Sequence, residues 1–416
     1  MESCNSSGLG LLDHGRMYRL PWSLTDNAMS WLEITTRCNL HCRGCYRDPH
    51  KDGHKSLEQL RAELEVFRRL RRSDAMAIAG GDPLVHPELV ELVELVRTLG
   101  WKPQLNTNGL ALTPELLRRL QGAGVASITF HVDTTQTRQG IEAASEAALL
   151  PLRLQYAELL AAENGPCCGF NCTVHEKNLH EVGLLSRWAA EHADTVHSFH
   201  FILYRDPTMA GHLTTFAAGR EVAPDERYRD TELGVLRPVE ASEVVAALTE
   251  ADPLYRPSAY LSGTQDLASS KWTLATRFVL GGTVLGYAGP RFQELTQTLH
   301  HLFKGRYLAV STRAQLAAGR LMLALFFFLD AGVRAAALAW VKAVLRDPKL
   351  FREKVHTQSL LILQAIDFLP DGKMNMCDGC PDMTVHEGTL YWSCRLEEIK
   401  EYGTFLTAIP RNRPEQ

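Results

Sequence analysis

The chain has 416 residues, of which 45% are hydrophobic and 22% charged, with a formal net charge of −4. At roughly 150 residues per domain this corresponds to two or three domains, and the composition excludes collagen, a coiled coil and wholesale disorder. A balance of 44 Lys and Arg against 48 Asp and Glu argues against a broad nucleic-acid footprint.

The chain starts Met1-Glu2-Ser3-Cys4, with neither a basic segment nor a long apolar run. No secretory signal is expected, and a cytoplasmic location follows. The most apolar stretch, Leu321 to Leu329, is nine residues long and stops at Asp330. It is too short to span a bilayer, so no transmembrane segment is expected. Ten cysteines without a leader suit metal binding or chemistry better than a disulfide framework.

Residues 1–30 read as an N-terminal arm. From 31 to 205, short strands alternate with amphipathic helices. Trp31–Thr36 is the first expected strand. Ser56 opens a helix with Gln59 completing a capping box, and Leu60, Leu64 and Phe67 follow at helical spacing. Ala75–Ala79 is the second strand. His86–Leu99 is a helix with one stripe of Leu89, Leu92, Val93 and Val96, closed by Gly100. Lys102–Thr107 is the third strand, and Thr113-Pro114 starts the next helix. Ala126–Val132, Gly169–Val174 and His197–Leu203 complete six strands, with helices at Pro151–Glu163 and Asn178–His192. Such alternation predicts an α/β fold with a parallel sheet. Six units fit a partial (βα)6 barrel better than a full eightfold one.

The strands alternate in polarity. Gln104, Asn106 and Asn108 share one face of the third strand. Ser127, Thr129, His131 and Asp133 alternate with Ile128, Phe130 and Val132, and Asn171, Thr173 and His175 alternate with Phe170, Cys172 and Val174. A period of two puts polar and apolar groups on opposite faces. The apolar faces are expected against helices, and the polar faces around a wet or ligand-filled chamber. Residues 206–372 read as a mainly helical extension and a candidate substrate region, 373–400 as a Cys-rich metal segment, and 401–416 as a tail.

Directly after the first strand stands Cys38-Asn39-Leu40-His41-Cys42-Arg43-Gly44-Cys45. Three thiolates on one short loop can hold three irons of a cubane cluster and leave the fourth iron open. A zinc site with His41 as fourth ligand is the bland alternative.

Together with Tyr46 after the third cysteine, this C-x3-C-x2-C loop resembles the signature of the radical S-adenosylmethionine (SAM) superfamily. Three further segments match. Gly80-Gly81-Asp82-Pro83 ends the second strand and resembles the family's GGEP turn, with Asp82 one methylene shorter than the usual glutamate. Asn106-Thr107-Asn108-Gly109 ends the third strand and resembles a recurrent SAM-site segment. His131-Val132-Asp133 ends the fourth, where family members place groups on the ribose. The resemblance implies a [4Fe–4S] cluster on Cys38, Cys42 and Cys45 whose open iron binds the amino and carboxylate groups of SAM. One electron then cleaves the sulfonium to a 5′-deoxyadenosyl radical, which abstracts a hydrogen atom from substrate. The SAM contacts implied are Tyr46, Gly80, Gly81, Asp82, Pro83, Asn106, Asn108, His131, Asp133, Asn171 and Thr173.

Cys377, Cys380 and Cys394 form a second group, which resembles the auxiliary-cluster segments of the SPASM/twitch kind but has fewer cysteines than the full pattern. It reads as a second iron–sulfur site. Zinc with His386 as fourth ligand, or thiols without metal, are the alternatives. Cys172 reads as a small buried apolar residue. The whole reads as an enzyme of the oxidoreductase or transferase type, with SAM, a one-electron donor such as flavodoxin or ferredoxin, and an unidentified peptide, lipid or small-molecule substrate as its partners. A non-catalytic iron–sulfur or zinc protein is the alternative.

Overall fold

A computed structural model describes residues 12–43, 45, 53–141, 144–204, 213–222, 236–364, 366–369 and 371–411. The N-terminal half holds β1 (Tyr18–Arg19), β2 (Met29–Thr35), α1 (Leu57–Leu70), β3 (Ala75–Gly80), α2 (Leu89–Thr98), β4 (Lys102–Thr107), α3 (Pro114–Ala123), β5 (Ser127–His131), α4 (Leu150–Ala162), β6 (Cys167–Val174), α5 (Val182–Glu191) and β7 (Ser198–Leu203). The C-terminal half adds α6 (Ala241–Ala251), β8 (Ala259–Ser262), β9 (Ser270–Leu280), β10 (Thr283–Tyr287), α7 (Pro290–Lys304), α8 (Gly319–Leu325), α9 (Ala331–Arg346) and β11 (Val355–Gln364), then a hairpin of β12 (Met383–His386) and β13 (Thr389–Trp392).

Local chemistry sets these elements. Ser56 and Gln59 close the α1 capping box in both directions, and Leu60, Leu64 and Phe67 are buried. Thr113 caps α3 and Pro114 fills its first turn, while Gly124 ends it at φ +96°, a left-handed conformation that glycine adopts without a Cβ penalty. The stripe of α2 is buried as its spacing requires.

The result is a mixed α/β architecture built on one 11-stranded sheet, in the order β1-β8-β9-β11-β7-β6-β5-β4-β3-β2 with β10 on β9. Neighbours from β2 through β7 pair in parallel, and β11 joins β7 in parallel. The main core packs the apolar strand faces against α1 to α6. Phe130 is fully buried and stacks on Tyr156 of α4 at 4.5 Å, and Val174 lies in the same core.

The expectation of a mainly helical 206–372 needs correction. This stretch does contain helices, but it also supplies β8 to β11, which continue the sheet beyond β7. Leu360-Leu361-Ile362-Leu363 reads equally well as helix or strand. It becomes β11 because the β7 and β9 edges on either side satisfy its backbone. The N-terminal arm joins the sheet too, through β1 on β8.

Candidate functional site at the strand ends

The cysteine loop leaves the C-terminal end of β2 and is held from two sides. On one side, the Gly81 N–H donates to Thr35 O at 2.7 Å and the Asp82 N–H to Arg37 O at 2.9 Å. A Cβ on Gly80 would lie 2.1 Å from Thr35 O, and one on Gly81 2.2 Å from Arg37 O. Only glycines allow the turn after β3 to press against this backbone. On the other side, His41–Cys42 pairs antiparallel with Gln136–Thr137, and the Arg43 N–H donates to Thr135 O at 2.8 Å.

Asp82 is 1% exposed, and its carboxylate is fully engaged. It accepts from the Leu84 N–H (2.9 Å), the Thr107 hydroxyl (2.8 and 2.9 Å) and the Asn108 N–H (2.7 Å). Burial raises its pKa, and these bonds oppose the rise. Asp82 therefore ties the end of β3 to the end of β4. Asn108 carries that tie onward, since its Nδ2 donates to Asn39 Oδ1 at 2.8 Å and lies 3.7 Å from Cys38 Sγ. Asn106 is half-buried one turn of the pleat below.

At the end of β5, His131 Nε2 lies 2.6 Å from Asp133 Oδ2 and 3.2 Å from Thr173 Oγ1. Asp133 also accepts from the Thr173 N–H (2.8 Å), the Thr135 N–H (2.9 Å) and the Thr135 hydroxyl (2.5 Å). The carboxylate expected to face a ligand is thus turned inward, and His131 is the half-exposed member of the pair. Burial works against both charges, yet their mutual attraction wins. The Asp133 pKa is held well below the usual carboxylate range, and that of His131 is raised.

Arg138, which sequence reasoning missed, donates to Asn108 O (2.8 Å) and His131 O (3.1 Å) and so links two strand ends. Behind Asp133, Arg153 donates to Glu146 Oε2 at 2.5 Å and to Val132 O at 2.7 Å, with both side chains of the ion pair fully buried. His200, a single histidine with no motif around it and no role expected from the sequence, lies 2.8 Å from Asn171 Oδ1. Ser198 and His200 alternate with Phe199 and Phe201, so the period that marks the other strands could have found it.

The same inner face continues toward the N-terminal ends of the strands into a cavity of about 570 Å³. Gln104, Thr129 and His200 line it from the sheet, Trp22 and Trp272 from one side, and Phe292 and Phe303 of α7 from another. Gln104 Nε2 donates to Thr129 Oγ1 at 3.2 Å, so the polar groups share the face that alternation assigns them. Cys167 and Cys168 border this cavity, and Cys172 is buried in the helix-side core.

Burial pushes the Cys38 and Cys42 thiols up, and the neighbouring sulfurs add to the rise. Cys45 is exposed, and Tyr46 lies outside the described residues. Among the described residues, no three His, Cys, Asp or Glu side chains converge tightly enough to hold a single metal ion. The donor set itself suits an iron–sulfur cluster: three soft thiols from one clamped loop, whose protons a metal centre displaces on binding.

The second cysteine group sits under the N-terminal arm. Asn27 Nδ2 donates to Gly379 O at 2.8 Å, and Arg71 Nη2 to Cys380 O (2.7 Å) and Pro381 O (3.0 Å). The three cysteines are free; the neighbouring Cys377 thiol and burial push the Cys380 thiol well up, and burial pushes the Cys394 thiol up to about 12. Met383 pairs with Trp392 at the open end of the β12–β13 hairpin and His386 with Thr389 at its turn. Three residues of strand, about 10 Å, therefore separate His386 from the end that carries Cys380 and Cys394.

Residues 32–188 match the Radical SAM superfamily model. Over 182 residues the chain is 31% identical to 7,8-dihydro-6-hydroxymethylpterin dimethyltransferase of Methanocaldococcus jannaschii, covering 41% of this chain and 35% of that protein. It is 28% identical over 162 residues to AdoMet-dependent heme synthase of Methanosarcina barkeri (37% and 44%) and 27% identical over 183 residues to PqqA peptide cyclase of Xanthomonas oryzae (41% and 47%). The chain thus spans less than half the length of these curated relatives. The crystal structure of Streptococcus suis SuiB bound to precursor peptide SuiA is 15% identical, with a TM-score of 0.34 over 44% of this chain and 40% of that one.

Proposed function

We propose that this chain, which carries a Radical SAM superfamily domain over residues 32–188, reductively cleaves SAM and abstracts a hydrogen atom from a substrate held in the cavity below. The observation that carries this reading is the clamped cysteine loop. It is fixed by the glycine turn at the end of β3 and by the 135–137 segment after β5, beside the polar ends of β4 to β6.

Cys38, Cys42 and Cys45 would hold a [4Fe–4S] cluster, which when bound supplies an open iron for SAM and the electron that cleaves its sulfonium bond. The backbone of Gly80-Gly81-Asp82-Pro83 receives the SAM amino group, with Asp82 as a positioning residue. Asn106 and His131 present their polar atoms to the nucleoside, Asn108 holds the cysteine loop beside it through Asn39, and Asp133 orients His131. Asn171 and Thr173 complete that wall, and Tyr46, outside the described residues, is the aromatic that follows the third cysteine in sequence. The six strand–helix units from 31 to 205 form the partial barrel that shapes it, and Cys377, Cys380 and Cys394 hold a second iron–sulfur site. A flavodoxin or ferredoxin in the cytoplasm supplies the electron.

Anaerobic reconstitution tests this directly. The full chain should hold about eight irons with both clusters, or about four plus zinc with one, and should release 5′-deoxyadenosine from SAM under dithionite. Colourless protein carrying zinc at both cysteine groups would overturn the reading.

A further inference from the structure

The C-terminal helices hold most of the large hydrophobic side chains exposed among the described residues. Of 17 large hydrophobic side chains exposed among the described residues, 11 fall between Leu299 and Phe351. They follow helical spacing. On α7, Leu299, Leu302 and Phe303 stand at i, i+3 and i+4. Around α8, Leu321 and Leu325 stand at i and i+4, with Phe328 next. On α9, Leu338, Val341 and Leu345 form a second stripe. Phe303 is 76% exposed, Leu345 78% and Phe328 86%.

These are not the inner faces of the helices, which are already satisfied. Phe292, Leu323, Val333 and Ala336 share a core with β9 to β11. Asp330 locks the group together by accepting from Gly289, Phe292 and Val333 N–H groups at 2.8–3.1 Å. Each helix therefore buries one apolar face and leaves another bare. Large apolar side chains exposed in stripes at helical spacing mark a surface that a partner covers.

Charge indicates the partner. Residues 290–354 contain eleven Lys and Arg against four Asp and Glu, net +7, so the rest of the −4 chain carries −11. Of the four acids Asp330 is buried, whereas Lys304, Arg334, Lys342 and Arg346 are exposed beside the apolar stripes. Apolar ridges rimmed by cations match a bilayer surface with anionic headgroups. No helix is long and apolar enough to cross a membrane, so the helices would lie on the surface. The 570 Å³ cavity is walled by Leu299 and Phe303 of α7 and by Met322 and Phe326 around α8, so it is bordered by the same face.

We infer that α7, α8 and α9 form a docking face for an anionic membrane surface. The inference stands independently of the SAM reaction, and its test needs no turnover. Full-length protein should co-sediment with vesicles of equal phosphatidylcholine and phosphatidylglycerol, and far less with pure phosphatidylcholine. Salt at about 0.5 M should release much of it. Phe303→Ser/Phe328→Ser/Leu345→Ser should weaken partitioning at least about tenfold. Arg334→Ala/Lys342→Ala/Arg346→Ala should do the same, since each cation near such a surface contributes about fivefold. These side chains are exposed, and an unchanged thermal transition would show both variants folded. Equal partitioning to both vesicle types, or none to either, would overturn the inference. So would a dimer in sedimentation equilibrium that the Phe303/Phe328/Leu345 variant makes monomeric while neither form binds vesicles.

Discussion

The carboxylate of Asp82 accepts the backbone N–H of Asn108 at 2.7 Å, and Asn108 in turn reaches Asn39 and Cys38. The turn after β3 thus reads out on the cysteine loop twice, through its own backbone and through Asn108. Asp82→Asn keeps the volume but aims an amide N–H at a donor. Leaving one buried donor unsatisfied costs about 1–3 kcal/mol. Urea denaturation should register that loss, and isothermal titration of SAM into reconstituted protein should show weaker binding. Wild-type stability with unchanged SAM affinity would show that Asp82 positions nothing.

Gly81→Ala separates space from conformation. Its Cβ would meet Arg37 O at 2.2 Å, so the loop that carries Cys38 must move. A shift of about 1 Å at a reacting centre can cost roughly a hundredfold in rate. Iron uptake should persist, because all three thiols remain, while 5′-deoxyadenosine formation falls by about that factor. Full turnover would mean that the close approach has no role in placing the cluster.

The His131–Asp133 pair predicts a pH window. Asp133 is depressed, so its contribution is present above the ordinary carboxylate pKa and is lost as pH falls through its folded value. His131 is raised, so its contribution is present below the ordinary imidazole pKa and is lost as pH rises through its folded value. The pair is therefore strongest between about pH 4 and 6.5. Histidine-selective NMR should find His131 titrating above 6.5. In Asp133→Asn it should fall below 6.5, because burial and Arg138 then act with less opposition. An unmoved titration would disprove the pairing.

Much of this site was legible before folding. Cys38, Cys42 and Cys45, the Gly80-Gly81 turn and the polar alternation of β4 to β6 are local patterns, and each ends a strand whose neighbours are consecutive in sequence. What the sequence concealed depends on long-range partners. β11 is a strand only because β7 and β9 flank it, and the N-terminal arm joins the sheet only because β8 presents an edge. Arg138 and Arg153 carry no motif, since their roles come from carbonyls and a carboxylate that tertiary structure brings to them. Asp133 shows the limit from the other side: its position on the polar face was readable, but its rotation toward Thr135 and Thr173 was not.

Arg153 and Glu146 illustrate how deep that hidden layer reaches. Both side chains are fully buried, and removing one partner of such a pair typically costs about 3–5 kcal/mol because the other charge stays uncompensated. Arg153→Met should lower urea stability by about that amount. Adding Glu146→Gln should recover part of it. A loss under about 1 kcal/mol would mean that water reaches the pair.

The last prediction concerns the second cysteine group. Its loop is anchored through backbone oxygens: Gly379 O takes a bond from Asn27, and Cys380 O and Pro381 O take bonds from Arg71. Alanine leaves those oxygens in place, so the Cys377/Cys380/Cys394 triple Ala variant should stay folded. The first cysteine loop is held by separate bonds to Gly81, Asp82 and the 135–137 segment, and none of these involves the second group. The variant should therefore bind about four irons instead of about eight and still release 5′-deoxyadenosine from SAM. Product formation should fall if the second site holds substrate or takes up the electron left on the product radical. If the metal is purely structural, its binding free energy is part of the folding free energy of the region, and hydrogen exchange should instead show residues 374–394 opening. A folded variant with full product turnover would rule out both the substrate-binding and the electron-accepting role.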